Sequence, residues 1–149
     1  MLSDDKHITM VGVNRLQKLS IDLKYRGRIT AIRRTENREQ LADLYRKASV
    51  FVNPTLEEAF GLTNIESLAC GTPVITYDTG GSPECIREGC GLVVPRGDIK
   101  GLKDAVDTLC NDSEDRTGLC NASVQRYDRN ECYRQYISLY RSMVEQKSE

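Results

Sequence analysis

Five short runs rich in β-branched residues punctuate the first two-thirds of the chain: HITMVGV (7–13), RITAIR (28–33), SVFVN (49–53), PVITY (73–77) and GLVVP (91–95). Each is too short for a buried helix and most are bounded by Gly, Pro or Asn, so each reads as a buried strand. Between the second and third, NREQLADLYRKA places Leu41, Leu44, Tyr45 and Ala48 on one helical face, with Asn37 and Gln40 spaced for a capping box. After the fifth, Asp98 stands where a helix cap belongs, and Leu102, Ala105, Val106 and Leu109 recur at helical spacing behind it. Tyr133, Tyr136, Ile137, Tyr140 and Val144 repeat in the same way near the end. Strands separated by helices imply right-handed crossovers and a parallel sheet, so the expected fold is α/β with about five strands and flanking helices. No Pro/Gly/Ser linker, repeat or low-complexity stretch interrupts 1–149, which reads as a single domain ending in a helical segment, 112–146.

Charge narrows the function. With 21 basic and 22 acidic residues and no basic run, the chain has no electrostatic footprint for nucleic acid or an anionic membrane. An anionic ligand must therefore be held locally. No stretch approaches the roughly 20 apolar residues of a membrane span, and MLSDDKHITMVGV lacks the basic start and long apolar run of a signal peptide, so the cytoplasm is the expected compartment. The six cysteines are expected to be reduced structural thiols, with Cys85 and Cys90 the one pair close enough in sequence to examine. With no Cys-x-x-Cys and a single histidine, His7, no metal site is expected.

In parallel sheets, ligands sit outside the carboxyl ends of the strands. The stretch NPTLEEAFGLTNIESLACGTPVI (53–75) leads from the third strand into a helix expected from Gly61 to Ala69. Gly61 permits close approach of a ligand, and the amides of Gly61, Leu62 and Thr63 are unpaired donors at the positive end of the helix, suited to a phosphate. Glu58 precedes this turn, and Glu66 lies one turn beyond Leu62, beside an apolar stripe of Leu62, Ile65 and Ala69 that would leave it half buried. Carboxylates so placed can accept sugar hydroxyls. By spacing alone they can equally be a loop-pairing Glu66 and a solvated Glu58. TYDTGGSPE, with Gly80 and Gly81 ahead of a further helix, is open in the same way between a ligand loop and a plain turn.

Taken together, EEAFGLTNIESLACGTPVITYDTGGSPE and the following GLVVPRGD resemble the nucleotide-sugar-binding C-terminal domain of retaining GT-B glycosyltransferases of the glycogen-synthase-like, group 1 type. The resemblance is continuous over 49–98 and looser from HITMVG to YISLYR. It implies a Rossmann-like domain in which Glu66 accepts the ribose hydroxyls of a nucleotide-sugar donor and Glu58 acts at the catalytic centre, holding donor-sugar hydroxyls near the anomeric carbon. The backbone around Phe60, Gly61, Leu62 and Thr63 would meet the diphosphate and sugar, and Gly80, Gly81 and Glu84 match the family's next loop, where Glu84 can also simply cap its helix. Arg33 and Arg34 would lie near the base, although a small glycine is usual where Arg33 stands.

The resemblance also implies transfer to an acceptor hydroxyl with retention, in polysaccharide or glycoconjugate synthesis, with no metal or cofactor, the leaving diphosphate being stabilised by cations and helix dipoles. The arginine and lysine that the family uses for this, on the strand and loop opening the domain, match nothing here. The chain is expected to begin at the domain's second strand, without the N-terminal domain that binds the sugar or lipid-linked acceptor and that could attach the enzyme peripherally to a membrane. It therefore reads as a truncated donor domain or half of a split enzyme, inactive alone, or else as a non-catalytic nucleotide-sugar-binding module. If the central strand is missing, HITMVGV and SVFVN each lose a neighbour. Direct pairing of these two strands, or filling of the slot by a second copy in a homodimer or by a partner chain, is expected over an open slot.

Overall fold

In the computed structural model, which describes residues 5–25 and 27–146, all five runs fold as strands: β1 (Ile8–Val11), β2 (Ile29–Ile32), β3 (Phe51–Asn53), β4 (Val74–Tyr77) and β5 (Gly91–Val94). The helices between them are α1 (Arg15–Lys24), α2 (Arg38–Lys47), α3 (Leu62–Ala69) and α4 (Ile99–Asn111), and α5 (Thr117–Ser123) and α6 (Arg129–Glu145) follow. Asp98 caps α4 by accepting from the Gly101 amide at 2.9 Å. Asn37 caps α2 through the Gln40 amide at 2.8 Å, but the Gln40 side chain turns to the Glu36 amide, so the expected box is closed one residue early.

All the pairing is parallel, yet the strands form two sheets instead of one. β1 pairs with β2, placing Ile8 opposite Ile29, while β4 sits between β3 and β5 with Val74 opposite both Phe51 and Gly91. β1 and β3 are not paired, so the direct closure expected between them does not occur in this chain. This order keeps the neighbours that a doubly wound sheet has on either side of its reversal point. The consequence is an exposed β1, with Met10 and Val11 more than 40% accessible, while Ala31 of β2 is buried.

The core forms around β4, all four of whose residues are buried. Successive side chains point to opposite faces, so Ile75 and Tyr77 pack with Val94 against Ala105 and Val106 of α4. Val74 packs on the other face with Leu68 of α3, Cys90, and Cys120 of α5. The expected apolar face of α4 is thus the one buried. All six cysteines are free thiols; Cys85, Cys90 and Cys120 are buried, and burial together with the adjoining Cys90 pushes the Cys120 thiol up to about 12.

Helix α6 forms as its periodicity implies, but its stripe is not buried: Tyr133, Tyr136, Ile137, Tyr140 and Val144 are each more than half exposed. Spacing makes a helix amphipathic without supplying a surface for its apolar side. Helix α1 was not foreseen. Its start carries a complete capping box between Asn14 and Gln17, whose two bonds measure 2.8 and 2.9 Å, while Leu16, Leu19 and Leu23 all face outward.

Candidate functional site

The parallel register aligns the carboxyl ends of β3 and β4, so the segments leaving them, 54–61 and 78–81, emerge side by side. Two bonds join them: Gly81 N donates to Ala59 O at 3.2 Å, and Thr79 Oγ1 donates to Leu56 O at 3.0 Å. The fit admits only glycine. Gly80 has φ +50°, and a Cβ there would come within 1.6 Å of Glu58 O, whereas one on Gly81 would come within 2.7 Å of Ala59 O. Gly80 and Gly81 therefore lie directly against the backbone of Glu58, Ala59 and Phe60, a close approach by the chain itself, where the sequence left a ligand loop and a plain turn open.

Helix α3 begins at the same place. Gly61 takes the left-handed conformation, φ +89°, and no side chain caps the first turn, at Leu62 and Thr63. Those two side chains are exposed, Leu62 by 67%. This corrects the expected stripe of Leu62, Ile65 and Ala69: the buried face of α3 is Asn64, Ser67 and Leu68. Two of those three are polar, and each has hydrogen-bond partners, Ser67 Oγ donating to Thr72 O at 3.1 Å. Burial follows hydrogen-bond satisfaction here as much as apolarity.

Turned by that rotation, Glu66 is exposed and not half buried. Its partner is Tyr45 of α2, whose hydroxyl donates to Glu66 Oε2 at 3.4 Å. Tyr45 itself is fixed by an edge-on contact with the Phe51 ring at 5.2 Å and by Thr72 Oγ1, which donates to its carbonyl at 2.6 Å. Burial, followed by the Glu66 charge and its hydrogen bond, pushes the Tyr45 phenol well up from its ordinary value. Sequence periodicity marked Tyr45 only as a core residue; its hydroxyl role depends on α2 packing beside α3. If Glu66 holds a ligand, Tyr45→Phe should weaken binding of that ligand about 3- to 10-fold, the worth of one ordinary hydrogen bond, since this one is long and its acceptor exposed, and leave the melting temperature within a few degrees. Calorimetry alongside thermal unfolding checks this.

The segment after β4 makes a single 3-10 turn, Ser82–Cys85, in place of the expected helix, with Pro83 near its start. Glu84 is exposed; its backbone carbonyl accepts from Arg126 and, at 3.4 Å, from the Tyr127 hydroxyl. The Tyr127 ring meets Phe60 edge-on at 5.5 Å, and the Cys85 thiol donates to Phe60 O at 3.2 Å. Phe60 is thereby clamped from two sides. Glu58 is half-buried beside this cluster. Arg33 and Arg34 follow β2 and are exposed, and neither is in hydrogen-bond contact with Glu58 or Glu66 among the described residues.

Among the described residues, no group of three or more His, Cys, Asp or Glu side chains gathers as a metal site, and no helix is long and apolar enough to cross a membrane. Two surface cavities, one beside Glu88, Cys90 and Leu119 and the other beside Ser49, Pro73 and Arg116, lie toward the amino ends of β3, β4 and β5 and are lined by none of Glu58, Phe60, Gly61, Leu62, Thr63, Glu66, Gly80 or Gly81.

Residues 2–126 match the family model for glycosyl transferases group 1. The chain is 39% identical over 95 residues to a D-inositol 3-phosphate glycosyltransferase of Mycobacteroides abscessus, covering 63% of this chain and 21% of that protein. It is 34% identical over 109 residues to the enzyme of the same name from Corynebacterium urealyticum, covering 70% and 26%. The matched stretches thus span about a quarter or less of these relatives' lengths. Among solved structures, sucrose-phosphate synthase from Thermosynechococcus elongatus superposes with a TM-score of 0.76 at 26% identity over 97% of this chain and 47% of that one. Anabaena HepE, solved in complex with UDP, gives 0.76 at 19% identity over 95% and 42%. The parallel α/β fold, the glycine-bound loops at the carboxyl ends of β3 and β4 and the family match agree: the chain belongs to the glycosyl transferases group 1 family and has the C-terminal GT-B domain fold of its structural neighbours.

Proposed function

We propose that these residues bind a nucleotide-diphosphate sugar as the donor half of a retaining glycosyltransferase acting in polysaccharide or glycoconjugate synthesis. The observation that carries the reading is the meeting of three backbone segments at one edge: Glu58–Phe60, the uncapped start of α3 at Gly61–Thr63, and Gly80–Gly81. Amides at a helix start favour an anion, and adjoining glycines let it approach the backbone. In this reading the diphosphate lies over Gly61, Leu62 and Thr63, Glu66 accepts the ribose hydroxyls, and Glu58 accepts hydroxyls of the sugar. Arg33 and Arg34 would reach the base from the first sheet. The UDP bound by the structural neighbour Anabaena HepE supports a nucleoside diphosphate as the ligand class.

Retention with a hydroxyl acceptor follows from the family resemblance, and no metal or cofactor is invoked. The acceptor, a sugar or a lipid-linked sugar, belongs to a part of the enzyme outside these residues, so the 149-residue chain by itself should bind the donor and not transfer it. Calorimetry with UDP, GDP, ADP and their sugars tests the reading. One diphosphate series should bind, and Glu58→Gln should spare the free nucleoside diphosphate while weakening its sugar conjugate about 10-fold. Equal losses for both ligands would remove the distinction between the two glutamates, and no binding by the parent to any of the series would remove the donor site.

A further inference from the structure

Beneath the three segments runs a buried polar chain of Asn53, Asn64 and Ser82, to whose side chains the functional motif assigns no role. Asn53, the last residue of β3, donates through Nδ2 to Asn64 Oδ1 at 2.9 Å; Asn64 Nδ2 donates to Ser82 Oγ at 3.2 Å. Asn64 and Ser82 are fully buried and Asn53 nearly so. The chain is anchored at its β3 end, where Thr55 Oγ1 donates to Asn53 Oδ1 at 2.6 Å and Thr76 Oγ1 of β4 donates to Asn53 O at 3.3 Å. One amide side chain thus bonds the residue from which segment 54–61 departs and the residue at which the Gly80–Gly81 loop ends. It sits on the helix whose start completes the site.

We propose that Asn64 is the positioning residue of this site: it locks the three segments in one arrangement and so sets the affinity for the diphosphate without touching the ligand. Gly61 makes the link direct. A Cβ on Gly61 would lie 2.7 Å from Asn64 Nδ2 and 3.2 Å from Ser82 Oγ, so the left-handed Gly61 backbone rests on the Asn64–Ser82 bond itself. A hydrogen-bonded amide accepts one rotamer only, because turning it breaks the bonds to Asn53 and Ser82 together. An apolar side chain of equal volume would fill the space and leave both buried partners unsatisfied. The arrangement is directional where simple packing would not be.

The ligand arm of this proposal rests on the donor-site reading; the exchange arm does not. Amide hydrogen exchange on the full chain should be compared for the parent, Asn64→Ala, Ser82→Ala and Ser67→Ala. Gly81 N and Ser82 N, bonded to Ala59 O and Thr79 O, report the lock, and β4 amides report global opening. Asn64→Ala should accelerate Gly81 and Ser82 about 10-fold relative to β4, and Ser82→Ala, which removes only a hydroxyl, should do so to a lesser degree. The double variant should be no worse than Asn64→Ala, since the two share one bond. Ser67→Ala removes another buried hydrogen bond of α3, to Thr72 O, and should leave the ratio unchanged. In calorimetry with UDP, GDP and ADP, the nucleotide that binds the parent should bind Asn64→Ala about 10-fold more weakly and Ser67→Ala equally well. Unchanged Gly81 and Ser82 exchange in both Asn64→Ala and Ser82→Ala, or an equal effect of Ser67→Ala, overturns the proposal. A parent that binds no nucleotide counts against the donor site alone, and the exchange ratio then decides the lock. If Asn64→Ala does not fold, Ser82→Ala decides it.

Discussion

Glu66→Ala should lower the affinity for a nucleoside diphosphate at least about 30-fold while leaving the fold intact. An ionised carboxylate that accepts two ribose hydroxyls contributes on the order of 1 to 3 kcal/mol per contact, and both contacts vanish with the side chain. The structure separates this loss from a folding defect. Glu66 is exposed on α3, where the Tyr45 hydroxyl donates to its carboxylate at 3.4 Å, whereas the buried face of the helix is Asn64, Ser67 and Leu68 on the opposite side. Glu66→Ala should therefore unfold within a few degrees of the parent. Calorimetry with UDP, GDP and ADP reads the effect, and binding as tight as the parent's would deny Glu66 any ribose role. Tyr45→Phe gives the graded counterpart, because it removes the donor that orients Glu66 and keeps the charge.

Gly80→Ala should damage both folding and binding. The added Cβ would meet Glu58 O at 1.6 Å and Glu58 C at 2.8 Å, atoms of the backbone that cannot swing aside as a side chain could, and φ +50° is itself unfavourable for alanine. Steric overpacking and backbone strain together should cost on the order of 3 kcal/mol, a drop in melting temperature of roughly 6 to 12 °C. Relief can come only by moving segment 78–81 away from 54–61, which separates two of the three segments that form the site. Nucleotide binding should fall further than the stability loss alone explains. Gly118→Ala supplies the comparison: a Cβ there meets nothing within 4 Å, and the position lies in α5. It should be neutral, or stabilising by up to about 1 kcal/mol through helix propensity. Similar melting temperatures for the two variants would mean that the Gly80 contact is not tight in solution.

How much could be read from residues alone varies with the range of the forces involved. Strands such as PVITY are set by local composition, and α4 by a cap and a periodic stripe, so both lie where the pattern puts them. The glycines at 80 and 81 are legible as ligand loop or plain turn, because a missing Cβ is a property of the residue itself, but that the backbone of Glu58 and Ala59 fills the space is not. The rotation of α3 was not. Leu62, Ile65 and Ala69 make the more apolar stripe, yet the helix buries Asn64 and Ser67, since their partners Asn53, Ser82 and the Thr72 carbonyl come from other elements. Periodicity cannot register a hydrogen bond to a residue 11 or 18 positions away. Tyr45 beside Glu66, 21 positions apart, was hidden for the same reason. The division into two sheets is likewise a matter of pairing between distant strands: β1 and β3 both read as buried by composition, but neither run states which strand lies beside it.

On the proposed function, the carboxyl ends of β3 and β4 hold a nucleoside diphosphate. Titration of the isotopically labelled chain with UDP, GDP and ADP, followed by amide chemical shifts, tests it most directly. One of the three should perturb the amides of Gly61, Leu62, Thr63, Gly80 and Gly81 in a saturable way while β5 and α6 stay unmoved. Perturbations confined to the cavity beside Glu88, Cys90 and Leu119, or none with any of the three nucleotides, would contradict the account.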